Sequence, residues 1–361
     1  MEGKYRKMSI RCRQLIERLK IAVKMYAVPQ GMRHEVYYGG GYSGDIGGGP
    51  VKVMRLRDNF GEARFGFNVV YNLSNWSLLD NKSVDLLGEQ GVPIVHNQNG
   101  TFYPAWYNGD WKWENKNMRI AYRAASYVFF QSEFCKRAAE LHLGKCPCPN
   151  EILYNAVDLS LFYPAKEAPK SRPFTFLLTG KFNAGMWYRI HAALKALRCA
   201  LDLKEEFKLV IGGWMVQSVS RSMAGLVEKY KLTNNVKYIG RYSQAVAPQV
   251  YRDADAYIML KHQDPCPNTV IEAMASGLPV LYSGTGGVPE LVGSRAGIGL
   301  ACPESWEKAY VPETEEICRG MIRIRQECVS LGRQARIIAC EKYDIKNWVN
   351  RHREIFDLVL N

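Results

Sequence analysis

Two acids eight positions apart, Asp264 and Glu272, mark the most chemically suggestive stretch of the chain, His262 to Glu290 (HQDPCPNTVIEAMASGLPVLYSGTGGVPE). The pattern from Asn268 onward reads as a helix, with Asp264 ahead of it and Glu272 in its second turn. Both carboxylates then stand near the positive end of the helix dipole, where they can engage the hydroxyls of a sugar and a ribose. The first backbone amides of that helix, at Asn268 and Thr269, lack intrahelical acceptors and can meet a phosphate. A capped amphipathic helix after a buried strand would not demand both acids together with the later Gly286-Gly287-x-x-Glu290.

Three other patterns carry less. Gly39-x-Gly41-x-x-Gly44 follows a short strand, Val36-Tyr37-Tyr38, and matches a dinucleotide fingerprint, with Asp58 and Glu62 downstream. The loop runs on through Gly47-Gly48-Gly49, so the helix is expected to open at Pro50 and not at the third glycine. An NAD-dependent dehydrogenase is therefore only a remote alternative. What survives is a backbone without Cβ atoms at a helix N-terminus, able to approach an anion or a sugar closely. Asp253-Ala254-Asp255 has the form of a metal-binding DxD but precedes a strand instead of ending one; it reads as a helix end, with no metal expected. Cys146-Pro147-Cys148 is too tight for a CxxC metal knuckle, and the ten cysteines read as reduced, mostly buried small hydrophobes.

These residues need elements to position them. A chain of 361 residues outgrows a single core, which implies two domains. Short β-rich runs alternate with helical stretches at 67–71, 92–95, 127–131 and 152–154. The rhythm then restarts at 174–178, 207–211, 236–239, 256–260 and 280–282. This predicts an α/β protein of two Rossmann-like doubly wound domains facing a central cleft. The first spans 1–164, completed by a C-terminal helix at 344–361; a Pro-rich linker spans 165–173; the second domain spans 174–343. Ligands of such sheets bind at the carboxyl edges of the strands. The aromatic run Tyr103, Trp106, Tyr107, Trp111 and Trp113 reads either as an acceptor-side surface or as a small aromatic core.

A formal net charge of +13 favours anionic partners. No zinc-finger spacing, RNP-like motif or basic tail is present, so nucleic acid is not among them. There is no apolar run of about 18 residues and no apolar segment of signal-peptide type, so a cytoplasmic protein is expected. Residues 5–26 read as a helix with Leu15, Leu19, Ala22 and Tyr26 on one face and Ile16 and Val23 beside them. Eight Lys or Arg residues between Lys4 and Lys24 stand against Glu17. The helix either lies on an anionic membrane surface or packs its stripe on the body of the protein.

The 262–290 segment resembles the acid-x7-acid signature, with EAMAxGxPV and GGxPE, of the family-4 retaining glycosyltransferases of GT-B fold. Tyr154-Asn155-Ala156-Val157-Asp158, with Phe162 and Pro164, is similar to the family's NGVD turn before its linker. Gln131-Ser132-Glu133-Phe134, Gly47-Gly48, and Tyr343 with the following tail have counterparts there as well. The resemblance implies transfer of a hexosyl group from a UDP- or GDP-linked donor, without cofactor or metal, to a glycan or lipid-linked acceptor in cell-surface polysaccharide synthesis. Glu272 would hold the ribose and Asp264 the moving sugar. Gly47, Gly48, Asn268, Thr269, Gly286 and Gly287 would line the donor. The growing charge on the diphosphate calls for preorganised cations, a role given to Lys181 and Arg189. The chain departs from the family in several places: Asp264 replaces a Glu, Cys266-Pro267 a Phe-Gly, Lys181 an Arg and Met186 a Lys. The family's first-domain His-Gly becomes Asn99-Gly100, so Asn99, with Tyr103 and Trp106, is the sugar or acceptor candidate. A non-catalytic or epimerase-like nucleotide-sugar protein is the alternative.

Overall fold

The computed structural model describes residues 2–24, 33–39, 44, 48–165 and 172–361, apart from the side chains of residues 2–8 and 24. The chain divides into two compact units, one of Met1–Tyr154 with Lys346–Asn361 and one of Asn155–Ile345. Of the expected linker, 166–171 lie outside the described residues.

The first unit contains α1 (Glu2–Lys24), β1 (Val36–Tyr37), α2 (Gly48–Phe60), β2 (Val69–Leu73), α3 (Asn81–Glu89) and β3 (Ile94–Gln98). It continues with α4 (Trp111–Arg123), β4 (Tyr127–Phe130), α5 (Glu133–Leu143) and β5 (Asn150–Ile152). The five strands are parallel in the order β1-β2-β3-β4-β5. Helix starts are fixed by side chains: Asp80 accepts from the Ser83 amide at 2.9 Å and Ser132 from the Cys135 amide at 3.0 Å. α2 opens at Gly48, two residues before Pro50, because Pro is as well suited to the rest of the first turn, where no N–H is needed.

The second unit runs β6 (Phe174–Phe182), α6 (Trp187–Asp202), β7 (Phe207–Met215), α7 (Gln217–Lys229), β8 (Val236–Tyr238) and α8 (Ala247–Arg252). β9 (Ala256–Met259), α9 (Asn268–Ala275), β10 (Val280–Ser283), α10 (Val288–Val292), β11 (Gly297–Leu300) and α11 (Thr314–Lys342) follow. Its six parallel strands are ordered β11-β10-β9-β6-β7-β8, so the winding reverses between β6 and β9. Beyond it, α12 (Ile345–Leu360) returns to the first unit.

Strand periodicity explains why α12 is needed there. Val128 and Phe130 of β4 point into a core with Met118, Tyr122 and Leu143. Phe129, between them, faces the opposite way and packs on His352 of α12, ring centroids 4.7 Å apart. Tyr71 of β2 does the same, and its hydroxyl bonds His352 Nε2 at 3.0 Å. Burial holds the His352 imidazole down at about 3, so it is the neutral ring, donating through Nδ1 to the Trp348 carbonyl at 2.8 Å.

The first helix decides which of its faces meets the body of the protein. α1 packs on α3, but through Gln14, Glu17 and Ile21, with Glu17 hydrogen-bonded by the Tyr37 hydroxyl and Arg18 paired with Asp80. Leu15, Ile16, Leu19 and Val23 are each at least half exposed. The ion pair and the buried carboxylate–phenol bond draw the polar face inward, so of the two readings of the stripe the one that packs it on the body does not hold. All ten cysteines are unpaired, but only Cys135, Cys266 and Cys318 are buried.

Candidate functional site

The reversal between β6 and β9 is the point where an open α/β sheet leaves a crevice at its carboxyl edge. Arg189, in the first turn of α6, lies across it. Its side chain is 3% exposed, donates from Nη2 to the Thr179 carbonyl of β6 at 3.0 Å and reaches Met259 of β9. The guanidinium stacks over Phe182 at 5.1 Å from the ring centroid. A Cβ on Gly180 would lie 2.7 Å from Nη1, so glycine at the strand end makes room for the cation. Its Nε is buried without an acceptor, and no carboxylate among the described residues pairs with it. A guanidinium desolvated in this way is a preorganised partner for a phosphate. Lys181, one residue beyond Gly180, is exposed at the end of the same strand.

α9 approaches the same edge. Pro267 stands at its N-cap and supplies no side-chain cap, leaving the amides of Asn268 and Thr269 without intrahelical partners. Glu272 is 5% exposed, and its Oε2 accepts from the Tyr251 hydroxyl at 2.9 Å. Tyr257, whose hydroxyl bonds Thr179 Oγ1 at 2.8 Å, has its phenol pushed up by burial; Arg189 opposes this and Glu272 adds to it. The Tyr257 ring lies 6.0 Å from that of Tyr251, which holds Glu272, and Thr179, which its hydroxyl bonds, is also the acceptor for Arg189.

Asp264 is held by its neighbours. Oδ2 pairs with Lys261 Nζ at 2.7 Å, Oδ1 accepts from the Cys266 amide at 3.2 Å, and its carbonyl accepts from the Gly287 amide at 2.9 Å. Asn155 Nδ2 donates to the Cys266 carbonyl at 2.8 Å and steadies the far side of that loop. Gln263 sits at φ 49°, a left-handed conformation that non-glycine residues adopt only under constraint. Gly286 closes directly on this turn: its φ is +74°, and a Cβ there would lie 2.7 Å from both the Asp264 carbonyl oxygen and Gln263 Cα. Gly286→Ala is therefore expected to destabilise the protein by about 2–4 kcal/mol and displace Asp264, combining backbone strain with a backbone clash. Chemical denaturation checks this; a loss below about 0.5 kcal/mol, the range of neutral surface changes, would contradict it.

Two other motifs have structural duties. Asp255 of the Asp253-Ala254-Asp255 triplet accepts both guanidinium nitrogens of Arg172, at 2.6 and 2.8 Å. His262 is buried, accepting from the Tyr310 amide at Nδ1 and donating from Nε2 to the Ser305 carbonyl.

In the first unit, Gly47 lies outside the described residues and Gly48 begins α2. Asn99 follows β3; its Oδ1 accepts from Lys52 Nζ at 3.1 Å and from Gln131 Nε2, and its amide donates to Ser74 Oγ at 2.9 Å. His96 is fully buried, bonded by Asn72 and Gln98, and burial lowers its pKa to about 4. The aromatic run packs on itself. Tyr103 is buried and stacked on His142, and Trp106 stacks on Phe102 but stays 39% exposed. Lys261, Tyr251, Tyr257 and Lys52 were not singled out from sequence, and Gln131 was named only as part of a turn, without a role at the site. The polar run His96-Asn97-Gln98-Asn99, closing a buried parallel strand, was the available signal for the last two.

Comparison with known proteins bears on the second unit first. Residues 162–333 match the family glycosyl transferases group 1. Over 205 residues the chain is 26% identical to WcaL of Escherichia coli (strain K12), named as a colanic acid biosynthesis glycosyltransferase; the match covers 51% of this chain and 48% of WcaL. Anabaena HepE, solved with UDP and glucose, aligns with a TM-score of 0.65 at 18% identity, over 81% of this chain and 78% of that one. Sucrose-phosphate synthase from Thermosynechococcus elongatus aligns with a TM-score of 0.63 at 15% identity, over 85% and 76%. The fold is α/β of the GT-B type, with two Rossmann-like units each built on a parallel sheet.

Proposed function

We propose that the protein is a retaining glycosyltransferase that moves a hexosyl group from a UDP- or GDP-linked donor to a glycan or lipid-linked acceptor in polysaccharide synthesis. The observation that carries this reading is the buried Arg189, its Nε without an acceptor, at the β6–β9 reversal beside the uncapped start of α9. Arg189, Lys181 and the amides of Asn268 and Thr269 answer the charge that accumulates on a departing nucleoside diphosphate. Glu272, fixed by Tyr251, holds the ribose diol, and Asp264, fixed by Lys261, holds hydroxyls of the moving sugar. The donor's own phosphate takes the acceptor proton as the new glycosidic bond forms on the face the diphosphate leaves. The match to the glycosyl transferases group 1 and the likeness to a protein solved with UDP and glucose support the donor class.

Donor binding is testable without the acceptor. UDP or GDP at 100 times its Kd should add about 2.7 kcal/mol of stability, and donor hydrolysis should be unchanged by EDTA because protein cations meet the diphosphate charge. Loss of hydrolysis on chelation, restored by magnesium or manganese, would overturn the metal-free reading.

A lipid-linked acceptor also gives α1 a use. Its exposed stripe of Leu15, Ile16, Leu19 and Val23, flanked by the exposed Arg11 and Arg13, suits an anionic cytoplasmic leaflet, where each cation contributes about 1 kcal/mol. No described helix is long and apolar enough to cross a membrane. The protein should co-sediment with phosphatidylglycerol vesicles, more weakly with phosphatidylcholine, and less as salt rises. A Leu15→Glu, Leu19→Glu variant should lose this binding yet keep its fold, since both positions face solvent. Undiminished sedimentation of that variant would rule the stripe out as the contact.

A further inference from the structure

Lys52, in the second turn of α2, is 5% exposed, an unusual burial for lysine. Its ammonium donates to Oδ1 of Asn97 at 2.7 Å and to Oδ1 of Asn99 at 3.1 Å. Gln131, just past β4, donates from Nε2 to the same two oxygens. An ammonium offers only N–H donors, so the amide atom that faces it must be oxygen. The choice between the two flips of each carboxamide, normally open, is closed here by chemistry. For Asn99 the consequence is specific. Oδ1 has both lone pairs occupied, while Nδ2 turns away from the lysine, bonded to no described residue, in a side chain that is only partly buried.

A carboxamide can in general donate or accept; the fold leaves that of Asn99 only donating. Asn97 and Asn99 end β3, Gln131 follows β4, and Ser74, which receives the Asn99 amide, follows β2. These three strands are neighbours, so the group stands on the carboxyl edge of the first sheet, where α/β sheets take their ligands. Two N–H donors with no acceptor bonded to them among the described residues recognise an oxygen that offers lone pairs. On a sugar, that is a hydroxyl.

We propose that Lys52 and Gln131 are positioning residues that lock Asn99 as a donor-only contact for a sugar hydroxyl. This rests on the glycosyltransferase reading and adds to it the residues that fix how the first unit meets its sugar. The hydroxyl belongs either to the donor sugar or to an acceptor sugar, and the two sources can be separated.

The test compares full-length wild type with Asn99→Asp, Lys52→Met and Lys52→Arg. Asn99→Asp keeps the pairing with Lys52 but replaces the outward donors with an acceptor oxygen. Lys52→Met releases the lock, and Lys52→Arg restores donors to both asparagine oxygens, so a folding defect in the methionine variant does not stand alone. Three readouts are taken: hydrolysis of UDP-glucose or GDP-mannose, whichever the wild type turns over, inhibition by the free nucleoside diphosphate, and saturation-transfer NMR of free glucose on the nucleotide-loaded protein. If the hydroxyl is the donor's, kcat for hydrolysis falls about 30-fold in Asn99→Asp and about tenfold in Lys52→Met, and returns to within about threefold of wild type in Lys52→Arg, with nucleotide inhibition unchanged. If it is an acceptor's, hydrolysis is unchanged and the glucose signal disappears in the first two variants and returns in the third. Hydrolysis and glucose contact both within about twofold of wild type in Asn99→Asp and Lys52→Met would overturn the proposal while leaving the transferase reading intact. A wild type that neither binds a nucleoside diphosphate nor hydrolyses either donor would instead remove the transferase reading itself.

Discussion

Turnover of an Arg189→Met variant should fall by about 10²–10³-fold, the effect of removing one preorganised donor from a developing anion. Its stability without ligand should hold or rise. Arg189 is buried against Phe182 and Met259 with Nε unpartnered, and replacing a desolvated, uncompensated charge by an apolar side chain of similar length is often neutral or stabilising. The two measurements are donor hydrolysis and the midpoint of urea unfolding. They separate function from architecture, because a structural arginine would lower both together. Full turnover in the methionine variant would remove Arg189 from the diphosphate site.

Glu272→Ala should weaken binding of the nucleoside diphosphate by about 2–3 kcal/mol, roughly 30- to 150-fold in Kd, through loss of charge-assisted hydrogen bonds to the ribose. The acid is buried, and its removal leaves the Tyr251 hydroxyl without its acceptor, so part of the loss would be structural. Glu272→Gln resolves this by keeping an acceptor for Tyr251 while discarding the charge; it should fold like wild type and still bind nucleotide weakly. Asp264→Ala should instead lower kcat with little change in nucleotide affinity, since the proposed role of Asp264 is to hold the moving sugar. Isothermal titration of UDP and GDP against the three variants decides the matter. Wild-type affinity in Glu272→Ala would show that the ribose is held elsewhere.

Much of this arrangement was legible before any coordinates. The β-rich runs marked ten of the eleven strands, most of them buried and largely apolar, with the run at 152–154 meeting its strand only at Ile152. Gly297–Leu300 escaped because two glycines in four residues carry no strand signature. The spacing of Asp264 and Glu272 placed one acid before a helix and one inside it, as the fold has them. What stayed hidden came from tertiary pairing. Tyr251 and Gln131 reach the site through partners 21 and 32 positions away, and no local period records such distances. The orientation of α1 was hidden for the same reason. Its facing was set by Asp80 and Tyr37, not by its own apolar stripe.

The return of α12 to the first unit has a consequence for the order in which the chain can fold during synthesis. Phe129 and Tyr71 are exposed on one face of the first sheet until His352 and Phe356 arrive. Between Tyr154 and Lys346 the ribosome must first make all of Asn155–Ile345. At about 5–20 residues per second that is a delay of roughly 10–40 s, in which the second unit can finish and the first cannot. The nascent first unit therefore carries an uncovered aromatic face while its successor folds. A chaperone that holds apolar surface on nascent chains has its substrate here, and a ribosome stalled before residue 346 would present it indefinitely.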